Sequence, residues 1–246
     1  MPDQRLAVVT GGSRGIGRAI AQRFVNDGFE CIVTGRDSSA PLIPGAAFHA
    51  VDFDIPEKVA GFAEFLEDSN PDVLVNNVGL NLSGLVDRIS PADLDRLYTV
   101  NLRTPFLLCQ AVMPSMKMRG WGRIINITSL RSRLGRAADA PFCAMKFGLD
   151  GLTAALGAEG APSNVLVNAV APGYISNEAM QSAFTSAQRQ SIARAIPAGR
   201  LGTVEEVAAL VAWLASGENS YVCGQNISVD GGLSRSHTQM WFAPEE

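Results

Sequence analysis

The sequence has few of the residues that hold metal ions. It contains four cysteines and two histidines in 246 residues, and no two cysteines form a C-x-x-C pair. A zinc site or a dithiol centre usually needs such a pair or a Cys/His cluster. The cysteines lie far apart, at Cys31, Cys109, Cys143 and Cys223. We therefore expect no metal site, and thiols that stay reduced as in cytoplasmic proteins.

Long apolar runs and a strong excess of one charge are lacking as well. No stretch approaches the roughly 18 apolar residues of a membrane-spanning helix, and the N-terminal residues show no signal-peptide pattern. A net charge of −4 gives no general attraction for DNA or anionic lipid. We therefore expect a cytoplasmic globular protein that binds neither nucleic acid nor membrane.

Segments typical of strands and helices alternate along the chain, without repeats or linkers. Short apolar runs lie at residues 6–10, 30–34, 48–51, 72–76, 122–128, 165–170 and 226–229. Helical spacing lies between most of them, including one long pattern at 91–118 bent at Pro105, whereas 38–48 is a loop rich in proline. The alternation predicts one α/β domain over residues 1–246, a doubly wound parallel sheet of about seven strands with helices on both faces.

A glycine-rich turn follows the first apolar run and opens a helix. Residues 10–17 read T-G-G-S-R-G-I-G, with three residues between Gly11 and Gly15. Glycines let the backbone approach a pyrophosphate, and the helix N-terminus offers N–H groups to it. Such a turn alone is as consistent with an ordinary loop. Its place between a strand and a helix favours a dinucleotide site.

Two arginines predict which dinucleotide is bound. A carboxylate at the end of the second strand would bind the ribose hydroxyls of NAD, but Gly35 stands there, followed by Arg36 and Asp37. Arg14 lies in the glycine-rich turn. Each arginine alone could be a solvated surface residue, but two guanidinium groups together suit a 2′-phosphate. The pattern predicts NADP(H), and Asp37 is the one residue against it.

The most informative stretch is residues 129–146, S-L-R-S-R-L-G-R-A-A-D-A-P-F-C-A-M-K. With the glycine-rich turn, the Asn-Asn-Val-Gly run at 76–79 and Asn101, it resembles the short-chain dehydrogenase/reductase family. The members that it resembles are 3-oxoacyl-[acyl-carrier-protein] reductase-like. The resemblance covers residues 5 to about 232. It implies a Rossmann fold, NADP(H), a small carbonyl or alcohol substrate and a homotetramer.

The resemblance also implies four catalytic positions. Ser129 would bind the substrate oxygen, Lys146 would hold the cofactor ribose, and Asn101 would anchor a water chain behind the lysine. The family's proton-donating tyrosine belongs at position 142, where this chain has Phe142. A phenyl ring can neither donate nor accept a proton, so the expected general acid is missing.

The cofactor contacts implied by the resemblance lie in four parts of the chain: the glycine-rich turn, the ends of the second to fourth strands, the catalytic helix, and the turn after the sixth strand. They are Gly11, Ser13, Arg14, Gly15, Ile16, Gly17, Arg36, Asp52, Phe53, Asn77, Gly79, Lys146, Pro172, Gly173 and Ile175. Asp52 would meet the adenine, but a turn or capping role fits it nearly as well. The amides at 76 and 77 would tie neighbouring strands together.

Three interpretations of Phe142 stay open. The chain could be a Tyr-to-Phe variant of an ordinary reductase, made to remove turnover and keep the shape. It could be a natural reductase with another proton source, for which Cys143 and Asp139 are nearby. It could be a non-catalytic NADP(H)-binding protein with a regulatory or scaffold role. Intact Ser129, Asn101 and Lys146 favour the first, because an abandoned site would not be expected to keep them.

Basic residues bear on the substrate. Arg119 and Arg123 fit part of a docking surface for an acidic acyl carrier. The position before the sixth strand, where such reductases commonly have an arginine, is Ser163 or Asn164 here, which weakens a 3-oxoacyl thioester as substrate without removing it. Three further arginines in the loop after Ser129, at 131, 133 and 136, could meet an anionic substrate or be an ordinary solvated loop. Residues 176–200 are polar and weakly periodic, as expected of a lid over the substrate. Trp241 and Phe242 could pack on a partner subunit.

Overall fold

The computed structural model describes residues 4–37 and 43–236, and within them one parallel sheet of seven strands. The strands are β1 (Leu6–Val9), β2 (Glu30–Gly35), β3 (Ala46–Ala50), β4 (Val73–Asn76), β5 (Gly122–Ile127), β6 (Val165–Pro172) and β7 (Asn226–Val229). Their order across the sheet is β3-β2-β1-β4-β5-β6-β7. The predicted doubly wound α/β sheet is therefore confirmed.

Helices cover both faces of this sheet. They are α1 (Gly15–Asn26), α2 (Pro56–Ser69), α3 (Pro91–Tyr98), α4 (Thr104–Arg119), α5 (Ala140–Gly160), α6 (Glu178–Ala183), α7 (Ser186–Ala195) and α8 (Val204–Ala215). One apolar core joins α1 and α8 to the sheet, and a second joins α2 and α4 to its other face. Since both faces are covered, strands such as Val-Leu-Val-Asn in β4 are buried throughout.

The helical segment predicted at 91–118 is present, but it is not one regular α-helix. A π-helical turn, Thr99–Arg103, separates α3 from α4, and Asn101 lies in it. Pro105 lies in the first turn of α4, and because α4 continues the π-helical turn, the missing N–H of Pro105 interrupts the helical hydrogen bonding next to that turn. π-helical turns occur often at functional sites, because the extra residue redirects the side chains around it. The helical spacing of the sequence does not reveal this extra residue.

Other predicted segments differ less. Residues 38–42 of the predicted loop and the Trp241–Phe242 pair lie outside the described residues. The polar segment 176–200 contains two short helices, α6 and α7. Among the residues described, no helix combines the length and apolar character needed to cross a bilayer.

Candidate active site

The carboxyl ends of β1 and β4 form the switch point of the sheet, where connections leave to opposite sides and ligands of such folds bind. The glycine-rich turn leaves β1 here and is tied to the end of β4 by Asn77, whose Nδ2 donates to Thr10 O at 2.8 Å and Gly11 O at 3.0 Å. A methyl group built on Gly17 would lie only 2.3 Å from Gly11 O. Only glycine therefore fits at position 17. The expected tying role of the amide at 77 is confirmed.

A cleft of about 600 Å³ opens at this switch point. Eleven of the predicted cofactor contacts line it: Gly11, Ser13, Arg14, Gly15, Ile16, Gly17, Arg36, Asp52, Phe53, Asn77 and Gly79. Four others, Lys146, Pro172, Gly173 and Ile175, lie outside its wall. The wall also includes residues that the sequence analysis did not name as contacts, Asp37, Arg96, Asn177 and Glu178. The backbone cradle and the size of the cleft fit a dinucleotide.

One end of the cleft is basic and leaves no space for a carboxylate at position 35. Arg14 and Arg36 are exposed and line it. A methyl group built on Gly35 would lie 3.1 Å from both Ser13 Oγ and a ring carbon of Phe48. A side chain at position 35 would therefore need its neighbours to move. This end of the cleft fits a phosphate better than the diol of an unphosphorylated ribose.

Two further carboxylates, those of Asp52 and Asp54, also line the cleft. Asp52 Oδ1 accepts a hydrogen bond from the backbone N–H of Asp54 at 3.1 Å, so it also forms a turn. The guanidinium of Arg96 on α3 donates two hydrogen bonds to Asp54, at 3.0 and 2.5 Å. The turn role of Asp52 is therefore confirmed, and its contact with the adenine stays a prediction that its place in the cleft wall allows.

Asn101 is buried and holds the loop after β4. Its Nδ2 donates to Leu80 O at 2.9 Å and Leu97 O at 3.0 Å, and its Oδ1 accepts from Leu80 N at 3.2 Å. All of its amide bonds are thus made to backbone groups, as a buried amide requires. A methyl group built on Gly79 would lie 3.3 Å from Asn101 Oδ1 and 3.6 Å from Lys146 Nζ. Asn101 and Lys146 therefore both lie next to Gly79, a residue of the cleft wall.

Lys146 and Phe142 lie four residues apart on one face of α5. Lys146 is buried, its Nζ donates to Ile127 O at 3.0 Å and lies 5.6 Å from the centre of the Phe142 ring. Burial lowers the pKa of Lys146 to about 8. Phe142 is half-buried. A hydroxyl on this ring would thus be near an amine that changes charge close to neutral pH.

Ser129 follows β5 and is held by a network of buried polar groups. Its Oγ accepts from the backbone N–H of Arg131 at 3.1 Å. The Ser132 hydroxyl donates to Ser129 O at 2.7 Å and accepts from Asn226 Nδ2 at 3.0 Å. Thr128 Oγ1 donates to Asn226 Oδ1 at 3.0 Å. Strand β7 therefore fixes the serine turn, a contact that sequence spacing does not reveal.

Asp139, one of the two alternative proton sources, is fully buried and paired. Its Oδ1 accepts from Ser83 Oγ at 2.8 Å, and its Oδ2 lies 2.6 Å from Arg136 Nε and 3.4 Å from Arg131 Nε. Burial by itself would raise the pKa of Asp139, but the hydrogen bonds from Arg136 and Ser83 and the charges of both arginines outweigh it and lower that pKa. An ionised carboxylate has no proton to give. It precedes α5 but does not cap the helix. Cys143, the other source, is a buried thiol.

The arginine loop after Ser129 is neither free nor fully solvated. Arg131 Nη2 donates to the hydroxyl of Tyr174 at 3.1 Å, and Arg133 donates to Asn226 O. Arg136 is paired with Asp139. Tyr174 was not singled out from the sequence. The only signal that could have found it is its place directly after Pro172-Gly173, at the end of β6.

The turn after β6 lies beside β7 and the segment 176–200. Gly173 N donates to Val229 O at 2.9 Å, and Ile175 bridges to Gly202. The start of the segment approaches the glycine-rich turn, because a methyl group built on Gly15 would lie 3.7 Å from Glu178 Oε2. The predicted lid segment thus begins at the cleft wall.

Of the two arginines expected to dock an acidic carrier, Arg123 is buried and does not lie on the surface, whereas Arg119 is exposed. Arg123 is only 2% exposed and donates to the carbonyls of Gly122, Asn164 and Asn219. Arg119 lies 3.5 Å from Asp72 and donates to Trp121 O. Both lie at the amino end of β5, about 20 Å along the strand from its carboxyl end.

In residues 4–37 and 43–236, no group of three or more His, Cys, Asp or Glu side chains is placed to hold a metal ion.

Comparison with known proteins finds a family model and relatives that match nearly the whole chain. A family model described as Enoyl-(Acyl carrier protein) reductase matches residues 11–234. The 3-oxoacyl-[acyl-carrier-protein] reductase FabG of Salmonella typhimurium is 38% identical over 237 residues, covering 93% of this chain and 97% of the relative.

Solved structures share the fold. A protein described as an NAD(P)-dependent gluconate 5-dehydrogenase from Beutenbergia cavernae, with bound NADP, has a TM-score of 0.88 and 34% identity, covering 94% of this chain and 97% of the other. A Tyr-to-Phe form of ElxO with NADPH bound has a TM-score of 0.85 and 28% identity, covering 94% and 98%.

Proposed function

The chain belongs to the short-chain dehydrogenase/reductase family, and we propose that it is an NADP(H)-dependent oxidoreductase that interconverts a ketone and a secondary alcohol. The observation that carries this proposal is the dinucleotide cleft at the switch point, with Lys146 and Asn101 next to Gly79 in its wall. Ser129 lies at the carboxyl edge of the same sheet. Relatives with bound NADP or NADPH support the choice of cofactor.

Different residues of the cleft would bind different parts of the cofactor. Arg14 and Arg36 would bind the 2′-phosphate, and the glycine-rich turn with the start of α1 would bind the pyrophosphate. Lys146 would hold the ribose nearest the reacting carbon. When bound, NADPH supplies the hydride, and the protein has to orient the substrate and deliver a proton. Residues 176–200 would close over the substrate as a lid.

We also propose that the form with Phe142 turns over slowly. Ser129 can donate one hydrogen bond to the carbonyl oxygen, but no phenol stands between it and Lys146. The negative charge on that oxygen would therefore develop without a proton from position 142. A positioned general acid typically contributes about 10²–10⁴-fold to a rate. Cofactor binding should persist, since the ring fills nearly the volume of a tyrosine.

The 3-oxoacyl thioesters are the second substrate class to test. The sequence relative named for this substrate supports it. The two arginines expected to dock an acidic carrier lie instead at the opposite edge of the sheet, so carrier docking at those residues is not part of the proposal.

The experiment is a substrate panel with Phe142→Tyr. NADPH consumption would be measured with small ketones, keto-acids and 3-oxoacyl thioesters, and the reverse reaction with alcohols. We expect turnover of at least one class. A Phe142→Tyr protein that binds NADPH but turns over no carbonyl or alcohol would instead support a non-catalytic NADP(H)-binding regulator or scaffold, for which Phe142 is the observation in favour.

A further inference from the structure

The phenol of Tyr174 lies near the serine turn, although the phenol expected at position 142 is missing. Tyr174 comes two residues after the end of β6, and Ser129 comes two residues after the end of β5. These strands are neighbours, with Ile127 paired with Val170. The two hydroxyl-bearing residues therefore leave adjacent strands at the same edge of the sheet, where the substrate carbonyl has to lie.

Arg131 connects the two hydroxyl groups. Its backbone N–H donates to Ser129 Oγ at 3.1 Å, and its Nη2 donates to the hydroxyl of Tyr174 at 3.1 Å. Its side chain is 11% exposed. The guanidinium is held from the other side by Asp139 Oδ2, 3.4 Å from its Nε. Arg131 thus links the Tyr174 hydroxyl to the serine turn, and Arg136 lies within hydrogen-bonding reach of the same tyrosine.

The same contacts join Tyr174 to the face of α5 that carries the catalytic positions. Asp139, Phe142 and Lys146 are spaced by three and four residues, which places them along one side of the helix. Asp139 holds Arg131, and Arg131 holds Tyr174. Tyr174 is therefore linked through Arg131 both to Ser129 and to Asp139, which precedes α5 and lies three positions before Phe142.

The proton of Tyr174 is available. Its oxygen accepts a hydrogen bond from Arg131, and in the described part of the chain its own hydrogen is donated to no protein group. Of the chain's three tyrosines, Tyr98 lies on α3 and Tyr221 is almost fully exposed beyond α8.

We propose that Tyr174 donates the proton that position 142 cannot, and that it sustains the turnover of this chain. The inference rests on the proposed carbonyl reduction. In the step, hydride from NADPH forms the new C–H bond while the Tyr174 O–H bond breaks and its proton joins the carbonyl oxygen. The products are the alcohol, NADP⁺ and a tyrosinate, and water then returns a proton to the tyrosinate.

The kinetic test is a double-mutant cycle on the substrate that the chain reduces fastest. Tyr174→Phe should lower kcat at least about tenfold with KM changed less than about threefold. In the Phe142→Tyr background, which has its own phenol, Tyr174→Phe should change kcat less than about threefold. Tyr221→Phe removes the same oxygen from an exposed site and should have no effect in either background.

Every outcome of this cycle decides the proposal. Unchanged kcat in Tyr174→Phe, or an equal fall in both backgrounds, overturns it. A rise in KM alone makes Tyr174 a binding residue and also overturns it. If the unmodified chain is inert while Phe142→Tyr is active, the role proposed for Tyr174 is wrong and the proposed function stands. If both are inert on every substrate, the two fail together.

A spectroscopic measurement tests Tyr174 without turnover. Protein labelled with 3-fluorotyrosine should give three fluorine resonances, one per tyrosine, and Tyr174→Phe identifies the one that is lost. This resonance should shift when NADP⁺ and the product alcohol bind together, whereas the resonance assigned through Tyr221→Phe should not. A Tyr174 resonance that does not shift when the ligands bind contradicts contact between Tyr174 and the reacting oxygen. This conclusion holds even if a variant proves unstable.

Discussion

We expect cofactor preference to depend on Arg14 and Arg36, and the exposed guanidinium of Arg36 can be removed by a single substitution. In Arg36→Ala, the 2′-phosphate of NADPH would lose a charge-assisted hydrogen bond, while NADH has no phosphate to lose. Such a bond contributes roughly 1.5–3 kcal/mol, and about 1.4 kcal/mol is a factor of ten in affinity. NADPH should therefore bind about 10- to 100-fold more weakly, and NADH should bind as before.

Calorimetric titration of both cofactors measures this difference. Arg88→Ala is the matched control, because it removes the same charge from a side chain 79% exposed that is not part of the cleft wall. The NADPH affinity of the unmodified chain should also fall with added salt, since exposed charges are screened. An unchanged NADPH affinity in Arg36→Ala, or an equal loss for both cofactors, would refute the reasoning.

Three further expectations concern stability, pH and assembly. Arg123→Ala leaves three backbone carbonyls without their donor. Because each unpaired carbonyl costs roughly 1–3 kcal/mol, urea denaturation should show that the free energy of unfolding falls by about 3 kcal/mol or more. A fall below about 1 kcal/mol would contradict the buried position of Arg123. In Phe142→Tyr, kcat for carbonyl reduction should be constant below pH 8 and fall as pH rises through about 8, because Lys146 loses its charge there. A kcat that stays flat to pH 10 would contradict this expectation. Light scattering at micromolar concentration should give a homotetramer through the apolar helices at 91–118 and 141–158, and a monomer mass would not fit.

Local patterns predicted the parts of the fold that depend on local sequence. The strand at 226–229 was placed with the observed bounds, because four apolar-rich residues bounded by turn signals can form little else. The helical spacing at 91–118 predicts the helical segment that is observed but not its π-helical turn, where the amide of Asn101 bonds to both backbone groups of Leu80 in the loop after β4. Those partners lie about twenty residues away in sequence.

Residues that act through long-range contacts could not be read from the sequence. Arg123 looked like a surface cation, yet its partners lie 41 and 96 residues away. Tyr174 carried no signal because its partner, Arg131, belongs to a different strand connection 43 residues earlier. The glycine-rich turn is the opposite case, since its backbone requirement is local, and its residues line the cleft as expected.

The central claim is that position 142 lacks the proton donor of an otherwise complete site. The most direct measurement compares kcat for the unmodified chain and Phe142→Tyr, with one carbonyl substrate and saturating NADPH. We expect Phe142→Tyr to be at least about a hundredfold faster, with unchanged NADPH affinity, and Lys146→Ala added to it should abolish the gain. Equal rates for the two proteins, at ordinary enzyme turnover, would contradict the account.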